Sequence, residues 1–85
     1  MGLRITTKRT GLVTVVLIDG RLRKEGVAEL ERVCQSIEGP LCLDLANLHS
    51  VDGYGIRAIR MLEDHGVAVA GVSPYVQRLL NRAAQ

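Results

Sequence analysis

One stretch, Leu41 to Ile56 (LCLDLANLHSVDGYGI), leaves this chain few architectures to choose from. It opens with an apolar run, Leu41-Cys42-Leu43-Asp44-Leu45, of the length and character expected of a strand buried in the middle of a sheet. It then crosses a polar loop to Asp52-Gly53-Tyr54-Gly55, after which Ile56, Ile59, Met61 and Leu62 take up helical spacing. A strand that feeds a tight turn into a helix leaves free backbone N–H groups and the positive end of a helix dipole at an exposed edge. That edge is the candidate functional site.

The flanking segments supply the rest of a sheet. Leu3-Arg4-Ile5-Thr6-Thr7 alternates apolar and polar residues, Arg9-Thr10-Gly11 reads as a turn, and Val13 to Ile18 is apolar and rich in β-branched residues. Together they predict a hairpin whose second strand is the more buried, ended by Asp19-Gly20. From about Lys24 to Ile37, Val27, Leu30, Val33, Cys34 and Ile37 form one helical stripe, with Glu25, Glu29, Glu31 and Arg32 off it. That helix has no local capping residue, because Arg23 and Lys24 stand where Ser, Asp or Thr would serve. Gly39-Pro40 stops it. After the second helix, Asp64-His65-Gly66 is a stop, Val67 to Gly71 a short buried strand, and Ser73-Pro74 a helix start with Ser as N-cap. Val76, Leu79, Leu80 and Ala83 give the last helix its apolar face, with Arg78 and Arg82 outside. The predicted order is β-β-α-β-α-β-α: an α/β fold on a small mixed sheet whose later strands pair in parallel through right-handed crossovers.

At 85 residues the chain supports one core, and so one domain over 1–85. Its only aromatics are Tyr54 and Tyr75, which makes that core aliphatic. A net charge of +2 is too small to imply nucleic acid. No apolar run reaches the roughly 18 residues needed to span a bilayer, and Met1-Gly2-Leu3-Arg4 does not open a signal peptide, so the expected setting is the cytoplasm. Cys34 and Cys42 fall in periodic apolar stretches, where free thiols act as small hydrophobes. No metal-ligand spacing, cofactor motif or P-loop is present.

Each residue near the candidate edge carries a plain reading beside a functional one. Asp52 is the N-cap of the second helix. Gly53 and Gly55 let the chain turn tightly, and a lone GxG carries little weight for phosphate binding. Tyr54 either folds onto the core or, as an amphipathic ring at an exposed helix start, anchors an interface. Arg57 and Arg60, with Glu63 and Asp64, form i,i+3 and i,i+4 pairs on a solvated face, or join Tyr54 against an acidic partner. Asp44 accepts backbone N–H bonds from the following loop. Ser50 beside His49 is a poor nucleophile–base pair, since adjacent residues of an extended segment point in opposite directions. An enzyme is therefore not expected.

The element order, Asp19-Gly20, Leu43-Asp44-Leu45, the Val51 to Ile56 turn and Gly71-Val72-Ser73-Pro74 together resemble the STAS domain family, over roughly Val13 to Leu80. That family includes bacterial anti-anti-sigma factors, cytoplasmic tails of sulfate transporters and small partners of lipid-transport ATPases. In its anti-anti-sigma factors the turn reads Asp-Ser-Ser-Gly or Asp-Ser-Thr-Gly, and a partner kinase, which is also the anti-sigma factor, phosphorylates the hydroxyl before the glycine. The resemblance places Asp52 and Gly55 on the motif's Asp and Gly, and Tyr54 on the phosphoacceptor position. It thus implies a protein-binding module docking on a kinase-like anti-sigma partner through Ser50, Asp52, Gly53, Tyr54, Gly55, Arg57 and Arg60, without the serine switch. Two other readings stay open: an accessory cytosolic subunit of a lipid or anion transporter, and a small-molecule or anion-binding domain using the second helix's N-terminus.

Overall fold

The computed structural model describes residues 2–83. Strands β1 (Leu3–Thr10) and β2 (Val13–Leu22) form an antiparallel hairpin, Ile5 facing Ile18, turned at Gly11, whose φ of 62° suits glycine. Helix α1 (Lys24–Gln35) crosses to β3 (Leu41–Asp44), and a second short strand, β4 (Leu48–Val51), leads into helix α2 (Gly53–Asp64). Strand β5 (Ala68–Ala70) and helix α3 (Pro74–Ala83) complete the fold. The sheet runs β1-β2-β3-β5, with β2–β3 and β3–β5 parallel and β4 also parallel to β2.

The mixed α/β class expected from the sequence is the one observed, with two corrections of detail. The segment after β3 is not simply a polar loop: Leu48 to Val51 is a strand, and the order is β-β-α-β-β-α-β-α. The hairpin pairing does stop at Asp19-Gly20, with Leu3 opposite Gly20, but the strand does not. Gly20, at a φ of 93°, sits where the register shifts by a residue, and β2 continues to Leu22. The extra residue of this bulge is His49 of β4, and one long strand serves two parallel partners in succession, β3 along Thr14–Leu17 and β4 along Gly20–Leu22.

All three helices feed one aliphatic core. Val16, Ile18 and Leu43 of the sheet are fully buried together with Leu30 of α1, Ile59 of α2 and Val76 of α3. Each such side chain contributes about 1.5–3 kcal/mol by leaving water. Cys34 is buried in the same cluster and Cys42 is half-buried, both as free thiols. No helix among the described residues is long and apolar enough to cross a membrane.

Candidate functional site

β4 and the far end of β2 deliver two helix starts to one place. The backbone N–H of Asp52 donates to the Leu22 carbonyl at 3.1 Å, which fixes the entrance of α2 beside the entrance of α1. Asp52 then caps both helices. Its Oδ1 accepts from the Gly55 N–H at 2.9 Å, and its Oδ2 accepts from the Lys24 N–H, the first residue of α1, at 3.0 Å. The cap missing from the α1 sequence is thus supplied by a residue 28 positions away. The Gly55 N–H holds the Asp52 carboxyl below the usual carboxylate range, and the N–H groups of Lys24 and Tyr54 and the charge of Arg23 act in the same direction against partial desolvation. The carboxylate therefore stays ionised and satisfies the two helix ends, which leaves it as structural support.

Tyr54 stands on this support 48% exposed, outside the core. Two cations lie over the ring, Lys24 Nζ at 5.2 Å and Arg57 Cζ at 4.9 Å from its centroid. Such contacts are worth about 0.5–1 kcal/mol each at an exposed site, enough to bias the ring's orientation. From Tyr54 a shallow groove runs between α1 and α2 over Val27, Ala28, Ala58 and Met61, the last 56% exposed. The entrance is thus an exposed aromatic, clasped by cations, at the head of an apolar groove.

The other expected residues divide. Gly53 starts α2 in open space, so no neighbour requires a glycine there. Gly55 is buried and its φ is not positive, so backbone freedom is not why it is glycine. A Cβ there would lie 2.5 Å from Val51 Cγ2 and 2.8 Å from the Leu22 carbonyl oxygen, and this close approach of α2 to β2 and β4 admits only hydrogen. Ser50 lies in β4 opposite Arg21 and lines a separate recess with Arg23 and Asp52. Arg60 sits about 120° around the helix from Tyr54 and is engaged with Glu63 at 3.4 Å and Asp64 at 3.8 Å. Of the two arginines, the fold brings only Arg57 to Tyr54. It adds Lys24, which the sequence reading did not include, and whose one local signal was the uncapped start of α1. Asp44 accepts from the Ala46 N–H at 2.9 Å, as expected. His49 is exposed on β4, and His65 caps the end of α2 with Nδ1 2.7 Å from the Met61 carbonyl oxygen. Among the described residues, no group of three or more His, Cys, Asp or Glu gathers as a metal site would require.

No family model and no curated protein matches the chain by sequence. Solved structures do match by shape. An antisigma-factor antagonist STAS domain from Rhodobacter sphaeroides superposes with a TM-score of 0.67 at 18% identity, over 82% of this chain and 87% of that one. A serine-to-glutamate variant of RsbS from Moorella thermoacetica gives 0.67 at 23% identity, over 96% and 79%. An uncharacterised protein of SpoIIAA-like fold from Shewanella loihica gives 0.54 at 19% identity, over 98% and 76%. With its five-stranded mixed sheet and three helices, the chain has the STAS-like fold.

Proposed function

We propose that this chain is a non-enzymatic, protein-binding regulatory module of the cytoplasm that acts as an anti-sigma factor antagonist. In this reading the entrance of α2 docks on a kinase-like anti-sigma partner, with Tyr54 as the anchor and Lys24 and Arg57 as flanking charges. The observation that carries it is the exposed ring of Tyr54, held by two cations on a doubly capped base. An amphipathic ring that is already ordered costs little entropy to bind, which is why Tyr and Arg recur at interface hot spots. Likeness in fold to an antisigma-factor antagonist supports the same reading.

Binding here does not depend on a serine phosphoswitch. Gly53 and Tyr54 occupy the two positions before Gly55, and a kinase site shaped for a short hydroxyl meets a phenol whose oxygen lies several Å further out. The anion-binding alternative is weakened by Asp52, whose own carboxylate takes the N–H groups of Gly55 and Lys24 that an anion would use.

The test uses the tagged full chain as bait in an extract of its native host, with a Tyr54→Ala bait alongside and captured proteins identified by mass spectrometry. A protein with a kinase-like ATP-binding domain, retained by the first bait and lost from the second, is the expected result. Capture of a transporter ATPase would move the role to an accessory subunit, and equal capture by both baits would remove Tyr54 from the interface.

A further inference from the structure

Helices α1 and α2 run side by side in the same direction, both starting where Asp52 caps them, and the groove between them is longer than its Tyr54 end. Beyond Ala58 and Met61 it continues over Leu62 to His65 at the far end of α2. With 12 residues in each helix, the groove is about 18 Å long, or about three helical turns. Ala28 and Ala58 keep its floor low, and the exposed Met61 gives it an adaptable apolar wall. The floor consists of side chains, because the backbones of α1 and α2 are bonded within their own helices. A segment lying there must therefore satisfy its own backbone, which an α-helix does and an extended strand does not.

Charge along the groove says what such a helix carries. Lys24 and Arg57 flank Tyr54 at the head, and among the described residues neither forms an ion pair. Glu31, about two turns further along α1, lines the groove and is also without an ion pair among the described residues. The other charges of the two helices are engaged elsewhere. Glu29 pairs with Arg32, Arg60 pairs with Glu63 and Asp64, and Glu25 lines a separate recess with Arg21 and Arg23. The groove thus presents two cations at its head and a carboxylate further along. A second copy of this chain offers no helix to match: the outer sides of α1 and α2 hold those paired charges, and α3 buries Val76 and Leu80 in the core and carries Arg78 and Arg82 but no acid.

Resting on the reading of Tyr54 as a docking residue, we propose that the partner's contact segment is an amphipathic helix of about three turns lying in this groove antiparallel to α1 and α2, acidic in its last turn and basic about two turns earlier. Its apolar stripe packs on Ala28, Ala58 and Met61, its carboxylates meet Lys24 and Arg57, and its cation meets Glu31. The direction follows from the dipoles. Both α1 and α2 begin at the Tyr54 end, where Arg23, Lys24 and Arg57 surround the single carboxylate of Asp52 and leave the end positive. An antiparallel helix brings the negative end of its own dipole to that place, whereas a parallel one brings its positive end.

The experiment selects binders of the tagged full chain from a phage-displayed library of helical peptides that share a leucine stripe at i, i+3, i+4 and i+7 spacing, with the polar positions drawn from Glu, Lys and Ala. Recovered peptides should carry Glu in the last turn and Lys about two turns before it. In fluorescence anisotropy, Met61→Glu should weaken a recovered peptide at least about tenfold. Lys24→Glu combined with Arg57→Glu should weaken it similarly and strengthen a peptide whose last turn carries Lys instead. All three positions are exposed, circular dichroism confirms the fold of each variant, and either arm is readable without the other. An empty selection, Glu recovered in the first turn, or binding indifferent to Met61→Glu would overturn the proposal. Met61→Glu as a further bait in the host extract separates it from the functional reading. A kinase-like protein lost from the Tyr54→Ala bait but retained by Met61→Glu leaves that reading standing and overturns the groove helix. Peptides that behave as expected, with no kinase-like protein on any bait, do the reverse.

Discussion

Replacing Asp52 by alanine should cost this domain more than the loss of any ordinary helix cap, because two helices start on the same carboxylate. The alanine removes the 2.9 Å bond from the Gly55 N–H and the 3.0 Å bond from the Lys24 N–H. One N-cap is worth ~1 kcal/mol, so the pair amounts to ~2 kcal/mol, with the charge–dipole part reduced by screening at this half-exposed position. In a domain of this size that corresponds to a fall of about 8–16 °C in melting temperature. Asp52→Asn keeps one acceptor oxygen and should fall between, at ~1 kcal/mol. Ser73→Ala is the internal control, since Ser73 Oγ accepts only the Val76 N–H at the start of α3. Thermal unfolding by circular dichroism at neutral pH ranks the variants. Acid adds a second check. The folded-state pKa of Asp52 is depressed, so its ionised form is favoured on folding. That contribution is complete above the ordinary carboxylate value of about 4 and fades as the pH falls through the lower folded value. The gap between wild type and Asp52→Asn should therefore narrow on acidification. A cost for Asp52→Ala no greater than that for Ser73→Ala, or a gap that widens in acid, would refute the double cap.

The two glycines of the turn should respond with opposite signs. Gly55→Ala forces a Cβ against Val51 and the Leu22 carbonyl and should destabilise by about 1–3 kcal/mol, whereas Gly53→Ala enters open space and should stabilise by about 0.4–1 kcal/mol. Chemical denaturation of both variants checks this, and similar values would mean that α2 does not approach β2 and β4 as described. Arg60→Ala should cost less than about 1 kcal/mol and leave partner binding unchanged, because among the described residues Arg60 pairs with Glu63 and Asp64 on its own helix. A large loss of binding would return Arg60 to the interface.

The parts of the fold that the sequence announces are those governed by local periodicity. The stripe from Val27 to Cys34, the run around Leu43 and the Ser73-Pro74 start all lie where the pattern places them, although α1 ends at Gln35 and leaves Ile37 outside the helix. What it conceals depends on partners far along the chain. β4 has four residues, two of them His49 and Ser50, and is a strand because the far end of β2 offers it an edge. That end was hidden by Asp19-Gly20, which reads as a terminator, although β2 runs through Gly20 at a positive φ to Leu22 while β4 takes up His49 as an extra residue beside it. At the site, Tyr54 and Arg57 are one helical turn apart and visible together. Lys24 reaches the ring only through the fold, and Gly55 is required by a neighbour's carbonyl instead of by its own φ.

The reading of function rests on the ring of Tyr54 being a surface for another macromolecule. Isothermal titration of the captured partner against wild type and Tyr54→Ala, with melting curves of both proteins, addresses it directly. Affinity should fall by more than ~1 kcal/mol, about fivefold or more, with the melting temperature of the free chain nearly unchanged. Equal affinities together with a lowered melting temperature would make the ring a prop for the helix pair and contradict the assignment.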